Sequence, residues 1–344
     1  MKVFDCFSGI GGFRSAINLH QNADVNYAGF CEKDKYAKKT YSLMHKVHSD
    51  EIDISDICSL TRTTCKLLKK PNEIKKTLHQ KIMHPDLFTA GFPCQPHSLM
   101  GNRKGKYDAR GDVLYDMLAL IFAMQPKNVI LENVRAFRSV NNGSLFKELV
   151  EKLEKEYNVE IIELNAFDCG IPQVRRRVFI LGSKIRNPCT SIEKENLFKS
   201  KYPSTWHLLE KNVNKKYYLS EKIKQTILAD QHKGYSRRAD INRLIARPLT
   251  RTMHKMHRAS QDNYYSDAFI NGEYTEKENL VKLTKKGSNN IRRITPLEAF
   301  RIQSFPENEI KNALESQNSD TQLYMQAGNA VPVLMAYKIL KAIL

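Results

Sequence analysis

Short apolar runs alternate with amphipathic stretches through the first half of the chain, and this alternation constrains the fold more than any other feature. The apolar runs lie in KVFDCF, VNYAGFCEKD, PDLFTAGF, NVILENV and VEIIELNAF. Each has the length of a β-strand, and the stretches between them have the apolar spacing of helices. The pattern predicts a mostly parallel α/β sheet with helices on both faces and functional residues at the carboxyl ends of its strands.

A glycine-rich loop follows the first predicted strand, in FDCFSGIGGF. Its candidate ligand-binding residues are Phe7, Gly9, Gly11 and Gly12. Glycine allows a tight turn and a close approach of a ligand to the backbone. Twenty residues after Gly12, Glu32 ends the next apolar run, where an acid can bind ribose hydroxyls. The spacing is not G-x-G-x-x-G, so it favours an adenosyl ligand such as S-adenosylmethionine over a dinucleotide, and Asp53 could reach the adenine. A plain glycine turn with a surface glutamate is the alternative.

Cys94 lies in GFPCQPHS, directly after an apolar run. It could be a nucleophile, a partner of His97, a metal ligand or a buried packing residue, and packing is the commonest role of a free cysteine. The glycine-rich stretch GNRKGKYDARGD follows and could form a mobile lid.

Charged residues that could assist a reaction at Cys94 occur in two later predicted strands. Glu132 ends the run NVILENV, where an apolar wall can raise the pKa of a carboxyl group so that it holds a proton. QVRRRVFIL predicts Arg175 and Arg177 on one face of a strand and Arg176 on the other. Guanidinium groups can hold a carbonyl oxygen and favour a thiolate. A capping carboxylate and surface arginines are the alternatives.

Positive charge is in excess, with 55 Lys and Arg against 37 Asp and Glu, a net +18. This balance favours a polyanionic partner, nucleic acid first. The amino-acid composition changes over residues 185–286, which contain 21 Lys and Arg against 11 Asp and Glu, a net +10. We therefore predict a second, phosphate-binding domain at 185–286, between residues 1–184 and residues 287–344.

Cysteine usage and the apolar runs indicate the cellular setting. The seven cysteines are scattered and include no C-x-x-C pair, so the sequence predicts neither a disulfide framework nor a metal site. The N-terminus lacks the layout of a signal peptide, and no apolar run approaches the length that spans a membrane. A cytoplasmic protein is expected.

In the order and spacing of its motifs, the chain resembles the DNA cytosine-5 methyltransferase family. The matching blocks span nearly the whole chain: DCFSGIGGF, EKD, DISDI, GFPCQPHS, SLMGNRKGKYDARGD, LENV, IPQVRRRVFILG, RRITPLEAFRIQSFP and QAGNAVP. The resemblance implies a methyltransferase α/β (Rossmann-like) domain at 1–184 that is completed by 287–344, with a target-recognition domain at 185–286. The implied function is DNA (cytosine-5-)-methyltransferase, in the modification arm of a restriction-modification system.

The resemblance also implies roles for the candidate catalytic residues. Cys94 would add to C6 of cytosine, and Glu132 would protonate N3. Arg175 would hold the cytosine O2, with support from Gln173 and Arg177. His97 stands where the family usually has phenylalanine, so we expect a structural role for it and no cysteine–histidine dyad.

The implied cofactor is S-adenosyl-L-methionine, with S-adenosyl-L-homocysteine as product and no metal. By position, the family's binding residues correspond to Phe7, Gly9, Ile10, Gly11, Gly12, Glu32, Asp53, Ile54, Pro93, Val113 and Asn329. Because Asn329 lies near the C-terminus, the last segment should pack back against the first strand. Lys33 departs from the family's apolar or aromatic residue over the adenine, which predicts weaker cofactor binding.

The implied partner is double-stranded DNA with a flipped-out cytosine, behind which the loop 99–112 would close. Candidate DNA contacts are Ser98, Arg110, Arg237, Arg238, Arg247, Leu249, Thr250, Arg251 and Lys255, with Arg258, Tyr264 and Tyr265 nearby. We expect a monomer, with a restriction endonuclease as functional partner. Alternatives are methylation of cytosine in tRNA and a catalytically silent DNA-binding regulator.

Overall fold

The computed structural model describes residues 1–20, 24–64, 67–93, 112–185, 187–188, 203–228, 231–232, 235–236, 241–255, 257–258, 260–272 and 290–343. Contacts within the chain divide it into two compact units. The first unit comprises Met1–Leu164, Arg176–Lys194 and Met335–Leu344, and the second comprises Asn165–Arg175 and Glu195–Leu334. Elements are labelled below in chain order.

A seven-stranded sheet forms the centre of the first unit. Its strands are β1 (Lys2–Cys6), β2 (Asn26–Cys31), β3 (Ile52–Ile54), β6 (Leu87–Gly91), β7 (Asn128–Val134), β8 (Asn158–Asn165) and β9 (Arg176–Ser183). The short strands β4 (Arg62–Thr64) and β5 (Leu67–Leu68) pair separately. The sheet order is β3-β2-β1-β6-β7-β9-β8, in which the first five are parallel and β9 is antiparallel to β7. This arrangement confirms the predicted mostly parallel α/β class.

Helices of the first unit connect and cover these strands. They are α1 (Gly12–Leu19), α2 (Lys35–His45), α3 (Ile57–Thr61), α4 (Pro71–Thr77), α5 (Asp112–Met124), α6 (Ser144–Leu153) and α12 (Val333–Ile343), with 3₁₀ segments at Gln80–Ile82 and Arg135–Gly143. Capping fixes where α2 begins, because the Asp34 carboxylate accepts the backbone N–H groups of Tyr36 and Ala37.

The core of the first unit explains why its central strands are apolar runs and not alternating ones. Val3, Phe4, Phe88, Val129 and Leu131 are fully buried. Strands of a parallel sheet that is covered on both faces bury side chains of both faces, which produces such continuous runs.

The described residues of the second unit form four short strands and five helices. These are α7 (Glu221–Leu228), β10 (Gln231–His232), β11 (Tyr235–Ser236), β12 (Tyr264–Ser266), α8 (Asp267–Ile270), β13 (Ile291–Arg293), α9 (Pro296–Ile302), α10 (Glu307–Leu314) and α11 (Asp320–Asn329), with 3₁₀ segments at Ala166–Cys169, Thr205–Leu208 and Lys215–Tyr217. Strands β10 and β11 form one antiparallel pair, and β12 and β13 form another.

The unit boundaries differ from the sequence-based boundaries, because residues 290–334 pack with the second unit. Arg292, fully buried, makes a bidentate ion pair with Glu298 at 2.7 and 2.8 Å and donates to the Glu210 carbonyl. These bonds join α9 to the 203–210 segment. Only the residues from Met335 onward group with the first unit, where Tyr337 lies 6.1 Å from the His20 ring.

Among the described residues, no helix is both long enough and apolar enough to cross a membrane.

Candidate active site

The predicted site residues of the first unit lie along the carboxyl edge of the parallel strands. In register, Cys6 pairs with Cys31, and Cys31 with Ile54, so the residues that follow β1 and β2 meet the end of β3. On the other side of β1, Gly91 at the end of β6 pairs with Glu132 in β7. The strand order reverses between β1 and β6, which is where open α/β sheets bind their ligands.

The loop after β1 turns through left-handed backbone conformations. Phe7 has φ 51°, Gly9 has φ 55° and Gly11 has φ 84°. The Ser8 N–H donates to the Cys31 carbonyl at 3.0 Å, which ties the loop to the end of β2. Glycine adopts these conformations without the cost that a side chain adds, whereas Phe7 adopts one under strain.

Two glycines of the loop have different surroundings. A Cβ atom at Gly11 would overlap the ring of His45, whose Nε2 lies 2.9 Å from the Ile10 carbonyl. Burial lowers the pKa of His45 to about 3, so its imidazole is neutral and Nε2–H is the donor. A Cβ atom at Gly9 would meet nothing within 4 Å. The loop is therefore packed behind Gly11 and open at Gly9.

Glu32 joins the loop to the start of α2. Its carboxylate accepts the backbone N–H of Gly9 at 2.8 Å and that of Asp34 at 2.7 Å. Burial raises the pKa of Glu32, although these two N–H donors oppose the shift. Each oxygen keeps a free acceptor position that a ribose hydroxyl can use.

Ser8 provides a further polar group in the loop. Its Oγ is buried and has no hydrogen-bond partner among the described residues. A buried hydroxyl without a partner is costly unless a ligand or water satisfies it. With the open space at Gly9 and the acceptors of Glu32, the loop fits a nucleoside with hydroxyl groups, as in S-adenosylmethionine.

The other predicted cofactor residues have varied surroundings. The Asp53 carboxylate, proposed to reach the adenine, pairs with Lys38 at 2.9 Å. Lys33 pairs with Asp56 at 2.6 Å, and its side chain is 77% exposed. The remaining positions are Gly12 and Ile54, which are buried, Val113, which is half-buried near the start of α5, Pro93, which is exposed, and Asn329, which is exposed at the end of α11 in the second unit.

One acidic residue beside the loop, Asp5, had no role predicted from the sequence. Asp5 is fully buried in β1, and its Oδ1 accepts from Thr89 Oγ1 at 2.7 Å. Its Oδ2 has no hydrogen-bond partner among the described residues. Burial raises the pKa of Asp5 to about 7. The available signal was a single acidic letter inside the apolar run KVFDCF.

Glu132 and Arg177 form an ion pair at the site. Arg177 Nε lies 2.7 Å from Glu132 Oε1, and the two side chains are 12% and 10% exposed. Next to Glu132, the Asn133 side chain donates to the Phe92 carbonyl at 3.1 Å. Phe92 and Pro93 are the last described residues before Cys94. The pair therefore holds an oriented carboxylate beside the strand end that leads to Cys94.

The Arg175 guanidinium, which was predicted to hold the cytosine O2, contacts backbone carbonyls. Strand β9 begins after it, and its buried guanidinium donates to the carbonyls of Leu249 at 2.7 Å, Gly328 at 3.0 Å and Ala330 at 3.0 Å. Gln173 accepts the Leu249 N–H at 3.1 Å and donates to Ile302. A Cβ atom at Gly328 would overlap the Thr250 backbone, so the same segments approach closely. These contacts favour a positioning role within the second unit.

Of the predicted DNA contacts, the structure describes those in the 247–255 segment. Leu249 is buried, Arg247 and Thr250 are half-buried, and Arg251 and Lys255 are exposed. Cys94, His97, Ser98, Arg110, Arg237, Arg238 and loop residues 99–111 lie outside the described residues. Within the described part of the chain, no cluster of three or more His, Cys, Asp or Glu residues could hold a metal ion.

The sheet order, together with a glycine-rich loop after β1 that fits a nucleoside, is that of the α/β methyltransferase class. A family model for C-5 cytosine-specific DNA methylase matches residues 1–344. The chain therefore belongs to the C-5 cytosine-specific DNA methylase family, whose members use S-adenosylmethionine as methyl donor.

Individual relatives agree with this assignment. Type II methyltransferase M1.ScrFI of Lactococcus lactis subsp. cremoris is 30% identical over 349 residues, which cover 100% of this chain and 78% of the relative. Type II methyltransferase M.SsoII of Shigella sonnei is 31% identical, with 97% of this chain and 78% of the relative covered.

Solved structures show the same fold at lower identity. The Entamoeba histolytica methyltransferase EhMeth superposes with a TM-score of 0.72 and 21% identity, covering 100% of this chain and 97% of its own. The S. pombe Dnmt2 methyltransferase superposes with a TM-score of 0.72 and 19% identity, covering 98% and 96%. Both confirm the fold.

Proposed function

We propose that this chain is the DNA (cytosine-5-)-methyltransferase of a type II restriction-modification system. The observation that carries the proposal is the Glu132–Arg177 pair, held in register with the end of the strand that leads to Cys94. Relatives whose names denote type II methyltransferases support double-stranded DNA as substrate. The functional partner that we propose is a restriction endonuclease. The protein acts as a cytoplasmic monomer.

In this mechanism, Cys94 adds to C6 of a cytosine that has been flipped out of the duplex. Glu132 first takes up a proton from solvent and then delivers it to N3, so negative charge does not build up on the ring. Arg177 holds the cytosine O2 and orients Glu132, which transfers to Arg177 the role first assigned to Arg175. Loss of the C5 proton to solvent, return of the N3 proton to Glu132 and expulsion of Cys94 as a thiolate then restore the aromatic base.

S-adenosylmethionine, when bound, supplies the methyl group that C5 receives. Glu32 would bind the ribose hydroxyls, and the open backbone at Gly9 and the Ser8 hydroxyl would hold the nucleoside. Because the loop is fixed by Gly11 and His45, it is preorganised for this ligand and loses little conformational entropy on binding. Residues 185–286 supply target recognition.

A methyl-transfer assay tests the proposal. The purified protein is incubated with methyl-labelled S-adenosylmethionine and genomic DNA, and the modified base is identified by hydrolysis and bisulfite sequencing. We expect 5-methylcytosine at one DNA sequence. Label at adenine N6 or cytosine N4 would contradict the mechanism, and transfer only to tRNA in a parallel reaction would favour the RNA alternative.

Variants separate the proposed roles. Cys94→Ser should give no turnover, and Glu132→Gln should lower kcat by about 10²–10⁴-fold, the usual contribution of a general acid. Calorimetric binding of S-adenosylhomocysteine should stay unchanged in both, which controls for misfolding. Covalent capture on 5-fluorocytosine DNA should occur with the unaltered chain and not with Cys94→Ser. Absence of capture with the unaltered chain, together with tight DNA binding, would indicate a silent regulator.

A further inference from the structure

A pocket opens in the second unit between the 248–264 segment and β13. His257, Asp262, Tyr264 and Arg293 line its polar side, and Leu249 and Tyr324 lie among its other walls. Tyr264 and Arg293 are directly opposed in the antiparallel register of β12 and β13. Opposed residues of neighbouring strands point to the same face of the sheet, so both side chains reach the pocket.

The pocket contains a positive charge without a carboxylate partner. Arg293 Nη2 lies 2.9 Å from Nε2 of His257 and donates to it, so the imidazole is neutral at that nitrogen. Among the described residues, no carboxylate forms an ion pair with Arg293. Asp262, which lines the same pocket, is already bound by Arg258, through Nη2 at 2.8 Å and the backbone N–H at 2.9 Å.

Burial first, and then neighbouring positive charge, lower the pKa values of the histidines near the pocket. Burial and then Arg293 lower the pKa of His257, and Asp262 opposes them. Burial lowers the pKa of His254 too, with further lowering by Lys255, Arg293 and Arg251. An anion that entered here would meet a half-buried guanidinium and a histidine that can become a second donor.

We propose that Arg293 and His257 form a site for one backbone phosphodiester of the DNA substrate. The assignment rests on the proposed function for its substrate and adds a contact that the sequence analysis did not include. A guanidinium matches the fork geometry of phosphate oxygens, and its bond to an anionic phosphate is stronger than its bond to a neutral imidazole.

Phosphate binding at this site takes up a proton. When Arg293 turns to the phosphate, Nε2 of His257 loses its donor, takes a proton from solvent and donates to the second phosphate oxygen. The Tyr264 hydroxyl, 3.4 Å from Nδ1, holds the ring in place. Among the described residues, the titratable groups that line the pocket with His257 are Arg293 from β13, Tyr264 from β12, Asp262 just before β12, and Tyr324 from α11. Since the free imidazole is neutral and the bound one is charged, affinity increases as pH falls.

Fluorescence anisotropy with two labelled duplexes tests the site. One duplex contains the methylated sequence and the other lacks it, and both are titrated between roughly 50 and 200 mM salt. Arg293→Gln should weaken both by the same factor, on the order of tenfold, and reduce the salt slope by about one. The control is Lys311→Gln, which changes the net charge equally at an exposed position of α10 and should keep the salt slope of the unaltered chain.

A pH series separates the phosphate site from a general charge effect. The affinity of the unaltered chain should rise by up to about tenfold per pH unit as pH falls from roughly 8 to 6, with uptake of one proton. His257→Gln should remove this dependence while it keeps the fold. Arg293→Lys retains the charge without the fork and should lie between the unaltered chain and Arg293→Gln, which covers the case in which the glutamine variant does not fold.

Several outcomes would overturn the site without affecting the proposed function. The first is an unchanged salt slope in folded Arg293→Gln. The second is a loss of affinity confined to the target duplex, which indicates base recognition. The third is an affinity of the unaltered chain that does not change between roughly pH 8 and 6. Failure of the unaltered chain to bind either duplex or to methylate DNA would instead contradict the proposed function.

Discussion

The cofactor loop of the first unit and the Arg293–His257 pocket of the second unit are built in different ways. The loop is formed by backbone: positive φ angles at Gly9 and Gly11, and the Gly9 N–H that binds Glu32. The pocket is formed by side chains from distant parts of the sequence, 36 residues apart in the case of His257 and Arg293. A backbone-built site is lost when a side chain is added, whereas a side-chain-built site is lost when one is removed.

The largest expected effect concerns the side-chain-built contacts of the second unit. Arg175→Leu leaves three backbone carbonyls without their donor, and each buried acceptor costs about 1–3 kcal/mol. We expect a loss of about 4 kcal/mol in the free energy of unfolding, measured by urea denaturation. The exposed neighbour provides a matched control, because Arg176→Leu should change stability by less than about 0.5 kcal/mol. Equal stability of the two variants, with loss of activity only in Arg175→Leu, would restore a direct role at the base.

The next effect tests the backbone-built loop. Gly11→Ala adds a methyl group that overlaps His45 and requires a left-handed residue, at a cost of about 3 kcal/mol. Gly272→Ala has a similar φ of 78° but open surroundings, with the nearest atom 3.7 Å away, so it should cost only about 1 kcal/mol. Urea denaturation measures both, and S-adenosylhomocysteine titration should show weaker binding only for Gly11→Ala. If the two variants lost similar stability, the positive φ alone would account for the loss in Gly11→Ala, without a contribution from the overlap with His45.

The smallest of the three effects is a pH dependence at Asp5. Its folded pKa of about 7 lies above the ordinary value of 3.8, so between these values the folded state holds a proton that the unfolded state has lost. Stability therefore falls as pH rises. Relative to Asp5→Asn, the free energy of unfolding should decrease by about 2 kcal/mol from pH 5 to pH 7. Parallel pH profiles for the two proteins would show that Asp5 ionises normally in the fold.

The part of the molecule that the sequence predicted depends on local signals. Apolar runs, the glycine loop and acids at strand ends predicted the sheet class and placed Glu32 and Glu132 at the carboxyl edge. The partners of Arg175 are carbonyls at positions 249, 328 and 330, and backbone carbonyls have no residue-specific signal. The packing of residues 290–334 with the second unit lacks a local signal for a similar reason, because the Arg292–Glu298 and Glu210 contacts depend on tertiary structure.

The Arg175 contacts determine how this chain could be re-engineered. Arg175 and Gln173 form hydrogen bonds with the backbone at positions 249, 302, 328 and 330. An exchange of residues 185–286 alone would replace position 249 with a residue from another protein and keep the other three positions. A graft that transfers 165–175 together with 195–334 moves the donors with their acceptors. Chimaeras of relatives that exchange 165–175 and 195–334 together should fold. A chimaera that exchanges only 185–286 takes Arg175 and the carbonyl at position 249 from different parent proteins, so this hydrogen bond need not form.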